Sequence, residues 1–162
     1  MTGFVDERTT DSIDRRGNVV AHPGAAAAIH RWLGIYPTVL FTFALITDFA
    51  YMQTALLQWQ YFSIWLITAA LFMGGFTVVA GIVDWATGGA HGQRGFGWHF
   101  GLTILALIVG LVNAFIHSRD GWVAVVPQGI VLSLLTVILL YAGGITAALF
   151  DRPRTRVVED AS

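Results

Sequence analysis

The sequence contains no cysteine and no lysine, and only 12% of its 162 residues are charged. Without cysteine there is no disulfide framework, no thiolate metal site and no covalent c-type haem attachment. Soluble domains carry roughly 25% charged residues, so this chain has about half the usual charge, which points to a lipid solvent. The formal net charge is −1, and no basic patch is interleaved with aromatics, so a polyanionic partner such as nucleic acid is excluded. Serine-nucleophile motifs, nucleotide fingerprints and the metal-binding HExxH spacing are absent. "GGAHGQRGFG" has the glycines of a phosphate cradle but no strand before it. No short apolar segment opens the chain, so no cleavable signal peptide is expected.

Apolar residues fill the gap. They make up 56% of the chain, and mean hydropathy is +0.67. Four runs, at about 35–57, 61–85, 96–117 and 123–150, each reach the ~20 residues that span the hydrocarbon core as a helix. The pattern predicts an all-α integral membrane protein, a four-transmembrane-helix bundle (25–150) between a polar N-terminal tail (1–24) and a cytoplasmic C-terminal tail (151–162). Residues 1–20 are expected to be mobile. "AAAAIHRWLG" reads as a short helix ended by Gly34, "QWQ" and "SRDG" as tight turns, and "ATGGAHGQRG" as a flexible loop. Trp59, Tyr61, Trp85, Trp98 and Trp122 form the aromatic belts at the membrane surfaces.

Within the runs, small and weakly polar residues recur at alternating spacings of three and four, so each set lies on one face of its helix. The sets are Thr38, Phe41, Leu45, Asp48, Met52 and Ala55; Ser63, Ile67, Ala70, Gly74, Thr77, Gly81 and Asp84; His99, Thr103, Ala106, Gly110, Asn113 and His117; and Gly129, Ser133, Thr136, Leu140, Gly143 and Ala147. Burying these stripes together makes the centre of a bundle. Small residues there either let helices approach closely or leave room for a flat cofactor.

Ionisable residues in such a setting need partners. Asp48 lies ~18–20 Å along the first span at 1.5 Å per residue, where a bare carboxylate costs at least ~2.5–3.5 kcal/mol. Asn113 sits at similar depth, so an Asp48–Asn113 hydrogen bond, extended by Thr54 or a water, is expected; a proton relay is the alternative. His30, Asp84, His91, Arg94 and His99 gather at the other end of the bundle, as a salt-bridge network of Asp84 with Arg94 or Arg31, or as a ligand site. Neutral imidazole binds haem iron or a divalent metal, and two histidines on different helices suffice for haem b. His117 ends its span with no second histidine nearby and is expected at the far surface; His22 is expected at the surface too.

"IHRWLGIYPTVLFTFALITDF", "VVAGIVDW" and "WHFGLTILALIVGLVNAFIHSRD" together resemble the domain-of-unknown-function 2231 family of predicted four-helix membrane proteins. The family's histidine, proline and aspartate would be His30, Pro37 and Asp48; its second-span ending, Gly81, Asp84 and Trp85; its third span, His99, Asn113 and Arg119. The resemblance covers about residues 22–150. The family often has proline after the first histidine; here Arg31 follows His30 and the His-Pro pair is His22–Pro23, so either histidine could be the equivalent one. The resemblance implies the layout of a small b-type cytochrome and a partner among periplasmic quinoprotein dehydrogenases.

Three functions are compatible with these residues. The first is a haem b-binding subunit that passes electrons between a partner membrane or periplasmic dehydrogenase and the quinone pool. His99 and His30 would be the axial ligands, His91 a substitute, and Arg94 or Arg31 the propionate partner. The second is a non-catalytic anchor or assembly subunit. The third is a small proton-coupled carrier using Asp48 and Asn113. Arginine distribution gives the orientation. With four spans, Arg8, Arg15, Arg16, Arg31, Arg94, Arg152, Arg154 and Arg156 share one side and only Arg119 is on the other. That predicts a plasma (inner) membrane protein with both termini cytoplasmic, and it puts His30 and His99 away from a periplasmic partner. Reporter fusions at residue 162 and at Asp120 check this: the expected result is cytoplasmic activity at 162 and periplasmic activity at 120, and the reverse pattern refutes it.

Overall fold

The computed structural model describes residues 12–13, 19–20, 25–87, 94–119, 125–150 and 155–156. It is helical: α1 Ala25–Leu33, α2 Ile35–Thr54, α3 Leu57–Ala86, α4 Arg94–His117 and α5 Gln128–Phe150. Four segments, Ala28–Thr54, Leu57–Ala86, Gly95–His117 and Gln128–Phe150, are long and apolar enough to cross a membrane. The remaining described residues are short turns and three two-residue segments, in which Val19–Val20 pairs antiparallel with Ser12–Ile13 and with Thr155–Arg156. Of residues 1–20, expected to be mobile, only 12–13 and 19–20 are described, and these are paired; the rest of that tail, the placement of His22, His91 and Trp122, and the loop centred on 88–93 lie outside the described residues.

In the ring of helices α2 packs on α3, α3 on α4, α4 on α5, and α5 back on α2, while α1 lies against α3. Nearly all the outward surface is apolar: Trp65, Phe72, Phe76, Phe115 and Leu149 are each more than half exposed, whereas Asp48 and Asp84 are buried. A soluble bundle would reverse that arrangement. α1 and α2 are almost one helix, broken at Gly34. Pro37 accounts for the break, because it has no N–H for the carbonyl four residues back and its ring crowds that carbonyl.

The buried faces of α3, α4 and α5 follow the expected stripes, with Ala147 half-buried at the end of the last. α2 differs by phase. Its buried residues are Pro37, Phe41, Ala44, Thr47, Asp48 and Tyr51, whereas Ala55 is exposed and Thr38, Leu45 and Met52 are half-buried. Both readings share Phe41 and Asp48, and a three-four alternation can be started from either side of them. Two boundaries also move. "QWQ" (58–60) is helix, not turn: the chain reverses at Ala55, which is left-handed (φ 54°), and α3 starts at Leu57. α5 starts at Gln128 and not near 123, because the residue before Pro127 is biased away from helix.

The glycines of the stripes are holes filled by side chains. A Cβ on Gly110 would lie 2.5 Å from Phe41 Cζ, and one on Gly81 would lie 2.7 Å from Phe100 and 2.9 Å from His30; on Gly74 it would collide with Leu107. These three glycines therefore seat knobs from neighbouring helices, which is the close-approach alternative of the two readings of the small stripes. Phe41, Ala44, Ile67, Ala70, Ala106, Val137 and Leu140 form the apolar mid-layer around Gly110. Gly75 and Gly144 have open space where a Cβ would go. Gly110→Ala should thus destabilise the bundle by about 1–3 kcal/mol through overpacking against Phe41. Gly75→Ala and Gly144→Ala should be neutral or stabilising by up to about 1 kcal/mol. Denaturant titration of helicity in lipid micelles measures both.

Candidate functional site

Asp48 is fully buried in the last third of α2, and three donors converge on it. Ser63 Oγ of α3 donates to Oδ1 at 2.5 Å, Ser133 Oγ of α5 donates to Oδ2 at 2.5 Å, and His117 Nε2 of α4 lies 2.9 Å from Oδ1. One carboxyl group therefore links α2 to every other helix of the ring. A second layer orients the serines: Thr47 Oγ1 is 2.6 Å from Ser63 Oγ, and Asn113 Nδ2 donates to Ser133 Oγ at 2.8 Å. Asp48, Ser63, Asn113, His117 and Ser133 have essentially no exposed surface.

The expected Asp48–Asn113 bond is replaced by a bridge through Ser133, and Thr54 takes no part: its hydroxyl bonds the Ala50 carbonyl of its own helix. The larger correction is His117, which is not at the surface. Side chains lean toward a helix's N-terminus, so a residue on the last turn of α4 reaches inward by about a turn. Its Nδ1 lies 3.1 Å from the Asn113 carbonyl oxygen, one turn back.

Proton counting defines what this centre can do. Nδ1 faces a carbonyl, which only accepts, so Nδ1 carries a hydrogen. Nε2 and Oδ1 can then hydrogen-bond only if one further proton lies between them, as an imidazolium–carboxylate pair or as a neutral imidazole with a carboxylic acid. Both forms are neutral overall. Without that proton, a carboxylate faces a nitrogen lone pair in a dry interior, which is costly. The arrangement is not a hydrolase triad, because the serine hydroxyls point at the carboxylate and neither meets a histidine nitrogen that could take its proton.

The opposite end of the bundle brings His30 and His99 together. Their ring centroids are 5.6 Å apart and their planes are 79° to each other. Each Nδ1 lies 2.9 Å from a backbone carbonyl on another helix, Thr77 of α3 for His30 and Gly143 of α5 for His99. The carbonyls again require Nδ1–H, which leaves Nε2 as the free lone pair, and His30 Nε2 is buried without a partner. Phe96 and Phe100 stack on each other and pack against the His30 ring, with centroids 5.8 and 6.5 Å away. Asp84 is buried on α3, one turn beyond Gly81, which abuts His30. Arg94 is the first residue of α4, but its side chain, like His91, lies outside the described residues. Among the described residues no three histidine or acidic side chains cluster as a metal site.

Asp48→Asn should be tolerated: the amide still accepts from a serine and can donate to a neutral His117. Asp48→Leu leaves His117 Nε2 without a partner, at about 1–3 kcal/mol, takes the carboxyl acceptor from Ser63 and Ser133 while they keep Thr47 and Asn113, and should cost more than about 3 kcal/mol. Equilibrium unfolding of both variants in micelles checks the contrast; equal losses would contradict the network.

The geometry accords with the comparison against known families. No curated protein and no solved structure matches the chain. One family model does, described as a predicted membrane protein (DUF2231), over residues 26–149. That span is 149 − 26 + 1 = 124 of the 162 residues and contains all five helices except the first residue of α1 and the last of α5. The chain, a multi-pass membrane protein built around a buried Asp48–His117 pair, belongs to the DUF2231 family.

Proposed function

We propose that the protein is a small proton-coupled carrier whose proton site is the Asp48–His117 pair. The observation that carries this reading is the 2.9 Å contact between two fully buried titratable groups, one of whose imidazole nitrogens is already committed to a carbonyl. Ionisable residues inside membrane bundles are expensive and mark proton or substrate pathways. Losing the shared proton would leave a charge in the core, so deprotonation favours any rearrangement that pairs or hydrates Asp48. That is the coupling a carrier needs between protonation and conformation. The sequence reading named Asp48 and Asn113 for this role; His117 takes the principal part and Asn113 acts through Ser133. The arginine bias supports a plasma-membrane location with cytoplasmic termini.

A second reading, a haem b electron-transfer subunit, is favoured by a different observation. His30 and His99 are held by their Nδ1 atoms, as ligating imidazoles commonly are, and the Nε2 of His30 is buried without a partner. This donor pair suits haem iron. The porphyrin plane does not suit the packing, because Phe96, Phe100 and the filled Gly81 occupy the space around His30. On that reading a partner membrane or periplasmic dehydrogenase would supply electrons; on the anchor reading, the polar network does no more than fix helix packing.

Proton flux into dye-loaded proteoliposomes tests the carrier. Wild-type protein should exceed empty liposomes by at least about tenfold, equivalent to about 1.4 kcal/mol in barrier. Asp48→Asn and His117→Gln should return to background while remaining folded. Wild-type flux equal to that of empty liposomes would contradict the proposal. A Soret band with sharp α/β bands on reduction, lost in His99→Ala, would establish the haem reading.

A further inference from the structure

The surroundings of the proton site are unequal on its two sides. Toward the turns that join α2 to α3 and α4 to α5, a cavity of about 340 Å³ lies between the start of α3 and the end of α4, lined by Gln60, Tyr61, His117, Ser118 and Arg119 among others. Gln60 is 5% exposed, and its Oε1 has no hydrogen-bond partner. Its Nε2 donates to the Arg119 carbonyl at 3.4 Å, which fixes the amide's orientation. The lining also includes the apolar Leu57 and Ile64; the unpartnered buried acceptor at its wall is a water site, and at ≈30 Å³ of liquid volume per molecule the cavity is roomy enough for several. His117 forms the cavity's inner wall while showing no exposed surface itself, so the ring separates cavity water from Asp48.

Toward the tails the site is closed. Phe41, Ala44, Ile67, Ala70, Ala106 and Leu140 fill the section between Asp48 and the His30–His99 end. The hydroxyls of Thr103 and Thr136 in this region bond carbonyls of their own helices and offer no chain of donors. From Ser133 to Gly143 the apolar section extends roughly 15 Å along α5 at 1.5 Å per residue.

Resting on the proton-carrier reading, we propose that in the conformation described here the Asp48–His117 pair exchanges its proton with one aqueous phase, the one opposite the two tails, through a water-filled vestibule formed by Gln60, Ser118 and Arg119, and that access from the tail face requires a rearrangement of the apolar section. Exchange requires the His117 ring to rotate about Cβ–Cγ. Rotation withdraws Nε2 from Asp48 and turns its N–H toward vestibule water, where the proton passes to a water molecule and becomes hydronium; binding is the reverse. Other groups around the pair are Tyr51 from α2, Tyr61 from α3, and Arg119 beyond the end of α4, where its guanidinium donates to Gln128 Oε1 of α5 at 3.3 Å. Arg119 is the one permanent charge among them, and its position at the mouth favours release of the proton over its accumulation there.

The cysteine-free chain allows a direct test with single-cysteine variants in vesicles of known sidedness. Gln60→Cys and Ser118→Cys should react with a membrane-impermeant thiosulfonate from the face opposite to that on which Ser162→Cys reacts, at least about tenfold faster than from the other face. Ala70→Cys and Ala106→Cys should react from neither. A Gln60→Cys unreactive from both faces, or an Ala70→Cys reactive from the tail face, overturns the proposal. A second measurement uses the unmodified residues, so it does not depend on the cysteine variants folding. In vesicles with the vestibule face outward, a step in external pH should change a carboxyl infrared band that is missing in Asp48→Asn. With the tail face outward, the same step should change it at least about tenfold more slowly. An equally fast response from the tail face overturns one-sided access in this conformation. If the band answers from the vestibule face while proton flux equals that of empty liposomes, the access route stands and the carrier reading fails.

Discussion

The structure depends on keeping one carboxyl group satisfied in a solvent that offers it nothing. Lipid supplies no hydrophobic force to bring helices together, so association relies on close packing and on hydrogen bonds between helices. Asp48 supplies such bonds in three directions at once, to Ser63 of α3, His117 of α4 and Ser133 of α5. Because a partner must come from each helix, the bonds fix the rotation of all four about their axes. With those rotations set, Phe41 meets Gly110 and Leu107 meets Gly74, and the apolar layer closes. The polar centre and the packed layer are thus consequences of one another.

That dependence divides the molecule into two ends with different chemistry. At one end a carboxyl group and an imidazole lie within hydrogen-bond distance beside a cavity. At the other, two imidazoles face each other with their Nδ1 atoms anchored and their Nε2 lone pairs unused, against a wall of phenylalanine. The apolar layer between them offers no chain of hydrogen-bonding side chains from one end to the other. Membership of the DUF2231 family fixes the class of molecule without choosing between these ends, so the functional reading rests on the residues themselves.

Much of this was legible in the sequence. The low charge, the four apolar runs and the stripes on α3, α4 and α5 all follow from spacing alone. So does the meeting of His30 with His99, since topology returns both to the same end. What escaped was set by tertiary geometry. The stripe on α2 has two phases that share Phe41 and Asp48, and only the positions of Ser63, His117 and Ser133 select the one that buries Thr47 and Tyr51. His117 was misplaced because its Cα is at the end of its helix, whereas its ring is not; the inward lean of helical side chains was the available signal. Ser63 and Ser133 lay on the right faces, at depths similar to Asp48, but serine is so often a packing residue that nothing singled them out. The turn at Ala55 was invisible because alanine rarely adopts a left-handed conformation.

The most direct test of the account is the ¹⁵N spectrum of the His117 ring in histidine-labelled protein reconstituted in lipid bilayers. If His117 and Asp48 share a proton, the His117 ring signals should shift in Asp48→Asn and stay unchanged in Asp84→Asn. A His117 ring whose signals are the same with and without the Asp48 carboxylate would contradict it.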